Sequence, residues 1–227
     1  MIAPLLQVQS LKKRFIGPDG APRTIVDLDR FELAAKAQIA LRGESGSGKT
    51  TFLNLVAGIL KADSGSISLN GVEMTALSES ERDRIRATNI GYIFQTFNLL
   101  QGYTCFENVL LGMSFGSGVD RARATELLQR MGLGHRLHHY PRQLSTGQQQ
   151  RASVARAPAN HPALVLADEP SGNLDQQNSR EALKLIRESC QENGAALLLV
   201  SHDAGVLAQF ERTIDFDEIN RMDKETA

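Results

Sequence analysis

Two groups of residues in this chain have the types and spacing for phosphate chemistry. The first, Gly43-Glu44-Ser45-Gly46-Ser47-Gly48-Lys49-Thr50-Thr51, fits the P-loop pattern G-x-x-x-x-G-K-[ST]. Glycines at 43, 46 and 48 let the backbone turn with positive φ and bring successive N–H groups onto a polyphosphate, where a Cβ would collide. The helix that follows adds the partial positive charge of its N-terminus. Lys49 can reach the β- and γ-phosphates of a nucleotide, and the Thr50 hydroxyl can ligate Mg²⁺. The second group is Asp168-Glu169, at the end of the apolar run Ala163-Leu164-Val165-Leu166-Ala167. In this Walker B arrangement Asp168 would hold Mg²⁺ through water, and Glu169 would position or deprotonate the attacking water. The bland alternatives are a glycine turn before an ordinary helix and a solvated acidic strand end. Every fixed P-loop position is filled in a strand-turn-helix context, which weighs against the first and, with it, the second.

The elements that must position these groups are legible in outline. Gln38 to Arg42 reads as the strand entering the loop and Phe52 to Ala57 as the helix leaving it. Leu5 to Leu11 and Thr24 to Leu33 alternate apolar and polar residues around the turn Gly17-Pro18-Asp19-Gly20, predicting an antiparallel β layer. Gly65 to Gly71 predicts another strand of that layer, ending in an Asn70-Gly71 turn. Ser78 to Arg86 reads as a helix with Ser78 and Glu81 as capping box, and Ile90 to Phe94 as a strand ending on Gln95. From Thr96 to Tyr140 the periodicity is helical, over Glu107 to Met113 and Arg121 to Met131, broken at Gly116-Ser117-Gly118. Helices are then expected at Thr146 to Ala157, Asn178 to Glu192 and Ala204 to Phe210, alternating with apolar strands at Ala163 to Ala167 and Ala196 to Val200. Unbroken apolar strands alternating with helices predict an α/β fold with a parallel sheet covered on both faces. Asp217 to Ala227 is charged, without apolar period, and reads as a frayed tail.

The chain has 227 residues, 41% hydrophobic, enough for one domain or a domain with a subdomain. Its formal charge of -1 excludes a global basic field for nucleic acid, and no nucleic-acid partner is expected. Cys105 and Cys190 stand far apart, in no metal or redox spacing, as incidental thiols of a reducing compartment do. The start, Met1 to Val8 followed by Lys12-Lys13-Arg14, reverses the order of a secretory signal. Apolar runs such as Ala195 to Val200 fall far short of the roughly 18 residues that span a bilayer, so any membrane part would come from another chain.

Leu144-Ser145-Thr146-Gly147-Gln148, followed by Gln149-Gln150-Arg151, resembles the L-S-G-G-Q signature of the ATP-binding cassette (ABC) family. The resemblance covers nearly the whole chain: P-loop, Q-loop at Gln95, signature, Walker B, D-loop at Ser171-Gly172-Asn173-Leu174-Asp175, and His202 of the H-loop. It implies a P-loop NTPase fold, mostly parallel sheet with an antiparallel β subdomain, as a single domain over 1–227 with a helical subdomain inserted at 96–144. ATP and Mg²⁺ are the implied cofactors. Ser145, Thr146, Gly147 and Gln148 of one copy are expected to face the γ-phosphate on the P-loop of a second, with Asp175 at the same interface. One copy of each motif therefore implies a dimer with ATP between subunits. By the same resemblance His202 contacts the γ-phosphate and orients the water with Glu169. Gln95 reaches Mg²⁺ or the water and reports on it to the insert, and Phe15 lies against adenine; core packing is the competing role for that ring. Two residues depart from the pattern. Thr146 puts a β-branched side chain where the first signature glycine would lie, implying slower turnover. Pro158 replaces a common leucine after the signature helix and removes one N–H.

Ile90-Gly91-Tyr92-Ile93-Phe94-Gln95, Asn98-Leu99-Leu100, Phe106-Glu107-Asn108-Val109 and the D-loop are similar to the lipoprotein-release, macrolide-export and heterocyst-exporter group. That similarity implies a separately encoded permease, a position on the cytoplasmic face of the inner membrane as a peripheral subunit, and, through the permease, a periplasmic adaptor. Phe97, Leu99, Leu100, Tyr103 and Phe106 are the expected docking surface for the permease, with packing of the insert as the alternative for about half of them. Two other functions compete: a soluble cassette ATPase or other mechanical subunit acting on ribosomes or DNA, and a catalytically silent subunit. The first lacks its usual second cassette or long coiled-coil insertion here; against the second, Lys49, Asp168, Glu169 and His202 are all present. The transported substrate is not legible, because a cassette contacts the permease and not the cargo.

Overall fold

The structure, a computed structural model, describes residues 3–116, 118–172 and 174–222. Strands β1 (Leu6–Ile16) and β2 (Pro22–Leu33) pair antiparallel, and β3 (Gln38–Arg42) leads through the glycine loop into helix α1 (Lys49–Val56). β4 (Ser64–Leu69) and β5 (Val72–Glu73) form a hairpin whose turn has positive φ at both Asn70 (51°) and Gly71 (80°), which Asn-Gly tolerates. Helix α2 (Glu79–Asn89) starts at the predicted capping box, with the Glu81 carboxylate accepting from the Ser78 N–H at 2.9 Å. After β6 (Ile90–Ile93) come α3 (Cys105–Ser114) and α4 (Arg121–Arg130), capped by Thr104 and Asp120. The chain continues through α5 (Thr146–Arg156), β7 (Leu164–Asp168), α6 (Gln176–Asn193), β8 (Ala196–Ser201), α7 (Ala204–Leu207), β9 (Thr213–Asp215) and α8 (Phe216–Ile219).

Two sheets result. The antiparallel one has the order β2-β1-β4-β5, and the parallel one β6-β7-β8-β3-β9. The parallel strands divide the hydrophobic core by their period of two. Ala40, Val165, Ala167, Leu197 and Leu199 face α3, α4, α5 and α6. Ile39, Leu41, Leu164, Leu166, Leu198 and Val200 face α1 and the antiparallel sheet. Each fully buried leucine or valine contributes roughly 1.5–3 kcal/mol, so both layers are held to the central sheet by hydrophobic burial. The strand order sets the C-terminal ends of β6, β7, β8 and β3 side by side, which is where Gln95, Glu169, His202 and the glycine loop emerge.

Several expectations need correction. Of the segment read as a frayed tail, Asp217 to Ile219 belong to α8, which Phe216 begins, and Asn220 is buried. Residues 223–227, Ser117 of the glycine break and Asn173 of the D-loop lie outside the described residues. Helix α7 stops at Leu207, short of the predicted Phe210, whose ring is buried instead. Of the five residues expected as a docking surface, Leu99 and Phe106 belong to the core and Phe97 packs against it; Leu100 and Tyr103 are exposed. Pro158 follows the α5 cap Ala157, so no helical hydrogen bond is lost to it. Cys105 and Cys190 are buried free thiols, and burial pushes the Cys190 thiol up to about 12. Among the described residues no helix is long and apolar enough to cross a membrane.

Candidate active site

The glycine loop runs from β3 into α1 with Gly46 and Gly48 at φ 84° and 92°, whereas Gly43, expected to share that conformation, does not have a positive φ. A Cβ on Gly48 would sit 2.6 Å from the Ile25 carbonyl oxygen, so this position needs glycine for space as well as for conformation. Gly48 is also the N-cap of α1 and has no side chain to cap with, which leaves the first-turn amides for a ligand. Lys49 is 5% exposed; its Nζ donates to the Gly43 and Glu44 carbonyls at 2.8 and 2.6 Å and lies 3.2 Å from Ser47 Oγ. The ammonium is thus held inside the loop by backbone oxygens.

Opposite the loop, β7 delivers two acids with different environments. Asp168 is buried and accepts from Thr50 Oγ1 at 3.0 Å. Burial raises its carboxyl above the usual range, and the Thr50 hydrogen bond opposes that rise. A buried carboxylate beside a hydroxyl, both oxygen donors, fits a hard divalent cation such as Mg²⁺. Glu169 leaves the strand in the left-handed region at φ 42°, an uncommon conformation for a non-glycine residue that turns its side chain across the strand ends. Its Oε2 accepts from Ser201 Oγ at 3.1 Å, and its Oε1 lies 2.8 Å from His202 Nδ1. With Glu169 Oε1 as the acceptor, Nδ1 is the donor in this contact, which leaves Nε2 as the ring's other polar atom.

A cleft of 230 Å³ joins these pieces; it is lined by the loop from Ser45 to Thr51 together with Ile25, Gln95, Glu169 and His202. Gln95 is exposed at the end of β6, near enough to Gly172 that a Cβ there would lie 3.4 Å from its amide nitrogen. One chain therefore brings the P-loop, the Walker B acids, Gln95 and His202 together. It does not bring the signature: no residue from Ser145 to Gln148 lines the cleft among the described residues. Ser145 is instead the exposed N-cap of α5, its Oγ accepting from the Gln148 N–H at 3.3 Å while Gln148 Oε1 accepts from the Ser145 N–H at 3.1 Å. Thr146 is exposed beside it. Asp175 caps α6, accepting from the Asn178 N–H at 2.9 Å, and these bonds hold its carboxyl below the usual range. Phe15 is 41% exposed, under the Lys13 ammonium at 5.4 Å, so core packing does not occupy that ring. Sequence reading missed Ile25 and Ser201. Ser201 immediately precedes His202, but nothing in its type marked it as the hydroxyl that orients Glu169.

A P-loop between a parallel strand and a helix, faced by the two acids at the end of β7 in the same sheet, defines a nucleotide-hydrolysing class of protein. Residues 27–172 match the family described as ABC transporter, and the chain belongs to that family as an ATP-binding, ATP-hydrolysing cassette. It is 40% identical over 219 residues to the lipoprotein-releasing system ATP-binding protein LolD of Hydrogenovibrio crunogenus, covering 94% of each chain. It is 39% identical over 216 residues to the macrolide export ATP-binding/permease protein MacB of Rhodopirellula baltica, covering 92% of this chain and 31% of that longer one. Its fold is similar, at TM-score 0.85 and 31% identity over 96% of this chain and 98% of the other, to the ATP-binding cassette MJ0796 in a dimeric post-hydrolysis state bound to ADP and Pi.

Proposed function

We propose that two copies of this chain close on two ATP molecules and drive a separately encoded permease of the lipoprotein-release and macrolide-export type. The observation that carries the mechanism is the Glu169–His202 contact at 2.8 Å, set across the cleft from the P-loop. In this reading the loop amides from Ser45 to Thr51 and the Lys49 ammonium bind the β- and γ-phosphates, and the Phe15 ring stacks on adenine. Thr50 and Asp168, joined by Gln95, would hold Mg²⁺, which when bound neutralises charge on the phosphate oxygens. Glu169, oriented by Ser201 and His202, takes the proton of the attacking water; His202 Nε2 faces the γ-phosphate. Ser145, Thr146, Gly147 and Gln148 of the second copy complete the γ-phosphate shell from outside, with Asp175 at the same interface. The exposed signature and its absence from the cleft of its own chain support a site made by two copies.

The chain is read as one domain with the helical insert at 96–144. Leu100 and Tyr103, with the adjoining cleft of 520 Å³ lined in part by Tyr92, Phe94, Phe115 and Arg156, are the surface that receives the permease. That places the subunit peripherally on the cytoplasmic face of the inner membrane, any periplasmic adaptor being engaged only through the permease. The relatives described as lipoprotein-releasing and macrolide-export proteins support this subgroup. No observation favours a ribosome- or DNA-directed ATPase.

The test is ATP hydrolysis by the purified chain and by Glu169→Gln. Loss of the base is expected to lower turnover by roughly 100-fold or more, with ATP-loaded dimers accumulating on gel filtration. Undiminished hydrolysis by the variant would overturn the assignment of Glu169. Affinity capture from solubilised membranes should recover a four-helix permease; ribosomes or DNA recovered in its place would overturn the partner.

A further inference from the structure

The segment Asp215 to Arg221 is bound to both ends of the glycine loop. Its anchor is Phe216, fully buried with its ring 5.4 Å from that of Phe52 on α1. On one side of the anchor Asp215 pairs with Arg42 at the end of β3, and Asp217 Oδ2 accepts from the Glu44 N–H at 3.0 Å. On the other side Asn220, 6% exposed, uses its whole amide. Its Nδ2 donates to the Ser47 carbonyl at 3.0 Å and to the Ile25 carbonyl at 2.9 Å, and its Oδ1 accepts from the Asp27 N–H at 2.8 Å. Arg221 N–H then donates to the Asp27 carbonyl at 2.9 Å. Three parts of the molecule meet at Asn220: the loop, the β2 strand whose Ile25 lines the nucleotide cleft, and this segment.

We infer that Asp217 and Asn220 are positioning residues for the glycine loop, acting as a strap that sets Glu44 and Ser47 before nucleotide binds; the inference rests on the P-loop reading above. The physical reason is preorganisation. A loop with glycines at 43, 46 and 48 has a large conformational entropy to lose on binding phosphate, and part of that loss is already incurred when both its ends are tied. Asn220 also lies where a Cβ on Gly48 would meet it at 3.3 Å, so the strap reaches the residue that starts α1.

ADP binds a single protomer in this reading, so ADP affinity by titration calorimetry tests the strap without requiring the dimer. The full chain, Asn220→Ala, Asp217→Ala, Asp217→Asn and, as a control, Arg221→Ala are compared, with thermal melting of each. Asn220→Ala is expected to weaken ADP about tenfold and Asp217→Ala by a smaller factor. Asp217→Asn, which keeps the oxygen acceptor and drops a negative charge, should bind at least as tightly as the parent. Arg221→Ala, whose side chain pairs with Asp29, both of them exposed, should not change affinity. The KM for ATP should rise with ADP Kd while kcat holds. Folded Asp217→Ala and Asn220→Ala proteins with parental ADP affinity, or a fall in kcat at constant KM, would overturn the strap. A parent chain that binds no ADP would overturn the P-loop reading itself, and the strap with it.

Discussion

Two helices of this protein begin at a site shaped for an anion, and they are built in opposite ways. Helix α1 begins at Gly48, which caps nothing, inside a loop whose Lys49 is buried and whose ends are tied to β2 and to the segment around α8. Helix α5 begins at Ser145, exposed and satisfied only by its own Gln148. The first is a pocket finished within one chain. The second is an exposed helix start outside the cleft of its own chain, which the proposed function completes with a phosphate held by a second copy. Under the proposed function the contrast separates binding from hydrolysis, with nucleotide affinity expected of the protomer and turnover of the pair.

Substitutions at the two helix starts should therefore fail differently. Lys49→Ala has the largest expected effect. It removes the buried cation, lowers ATP hydrolysis by roughly 1,000-fold and weakens ADP binding by the isolated protomer. Hydrolysis is checked by phosphate release and binding by calorimetry. Ser145→Ala comes next: ADP affinity of the protomer should be unchanged, while ATP-dependent dimerisation and turnover fall. It also removes a helix cap, at a cost of about 1 kcal/mol, so melting should drop by roughly 2–4 °C. Equal loss of ADP affinity at Ser145 and at Lys49 would break the contrast. Thr146→Gly is the smallest and changes sign. It removes the β-branched side chain from the face proposed to meet the second copy, so turnover should rise with ADP affinity constant. An unchanged rate would show that the dimer closes around the threonine.

Much of this site was legible because its chemistry is local. Gly43 to Thr51, Asp168-Glu169 and Ser145 to Gln148 are each recognisable within a few consecutive residues. The Ser78–Glu81 box and the Asn70-Gly71 turn were legible for the same reason. The residues that escaped notice act through contacts distant in sequence. Ser201 is an ordinary strand residue until β7 and β8 pair and set its hydroxyl 3.1 Å from Glu169. Asp217 and Asn220 sit in a charged stretch without apolar period, and a search for buried faces passes over side chains whose partners are backbone amides and carbonyls. Leu99 and Phe106 show the reverse case. Their apolar character was plain, but only packing of the insert decided that they face inward while Leu100 and Tyr103 face out.

The amino-acid order alone led to a polyphosphate site with oxygen ligands for a divalent cation as an expectation, and the resemblance of Leu144 to Gln148 to a family signature added a second helix start expected to face phosphate. Glycine conformation, helix dipoles and oxygen ligands act over one or two turns of chain, so residue type and spacing suffice to specify them. Only the tertiary structure decided which strand ends adjoin, that Ser201 joins His202 on Glu169, and that Asp217 and Asn220 bond to the glycine loop. Those outcomes depend on the order β6-β7-β8-β3-β9 and on burial on both faces of that sheet. They are collective choices among contacts many residues apart, and no local pattern encodes them.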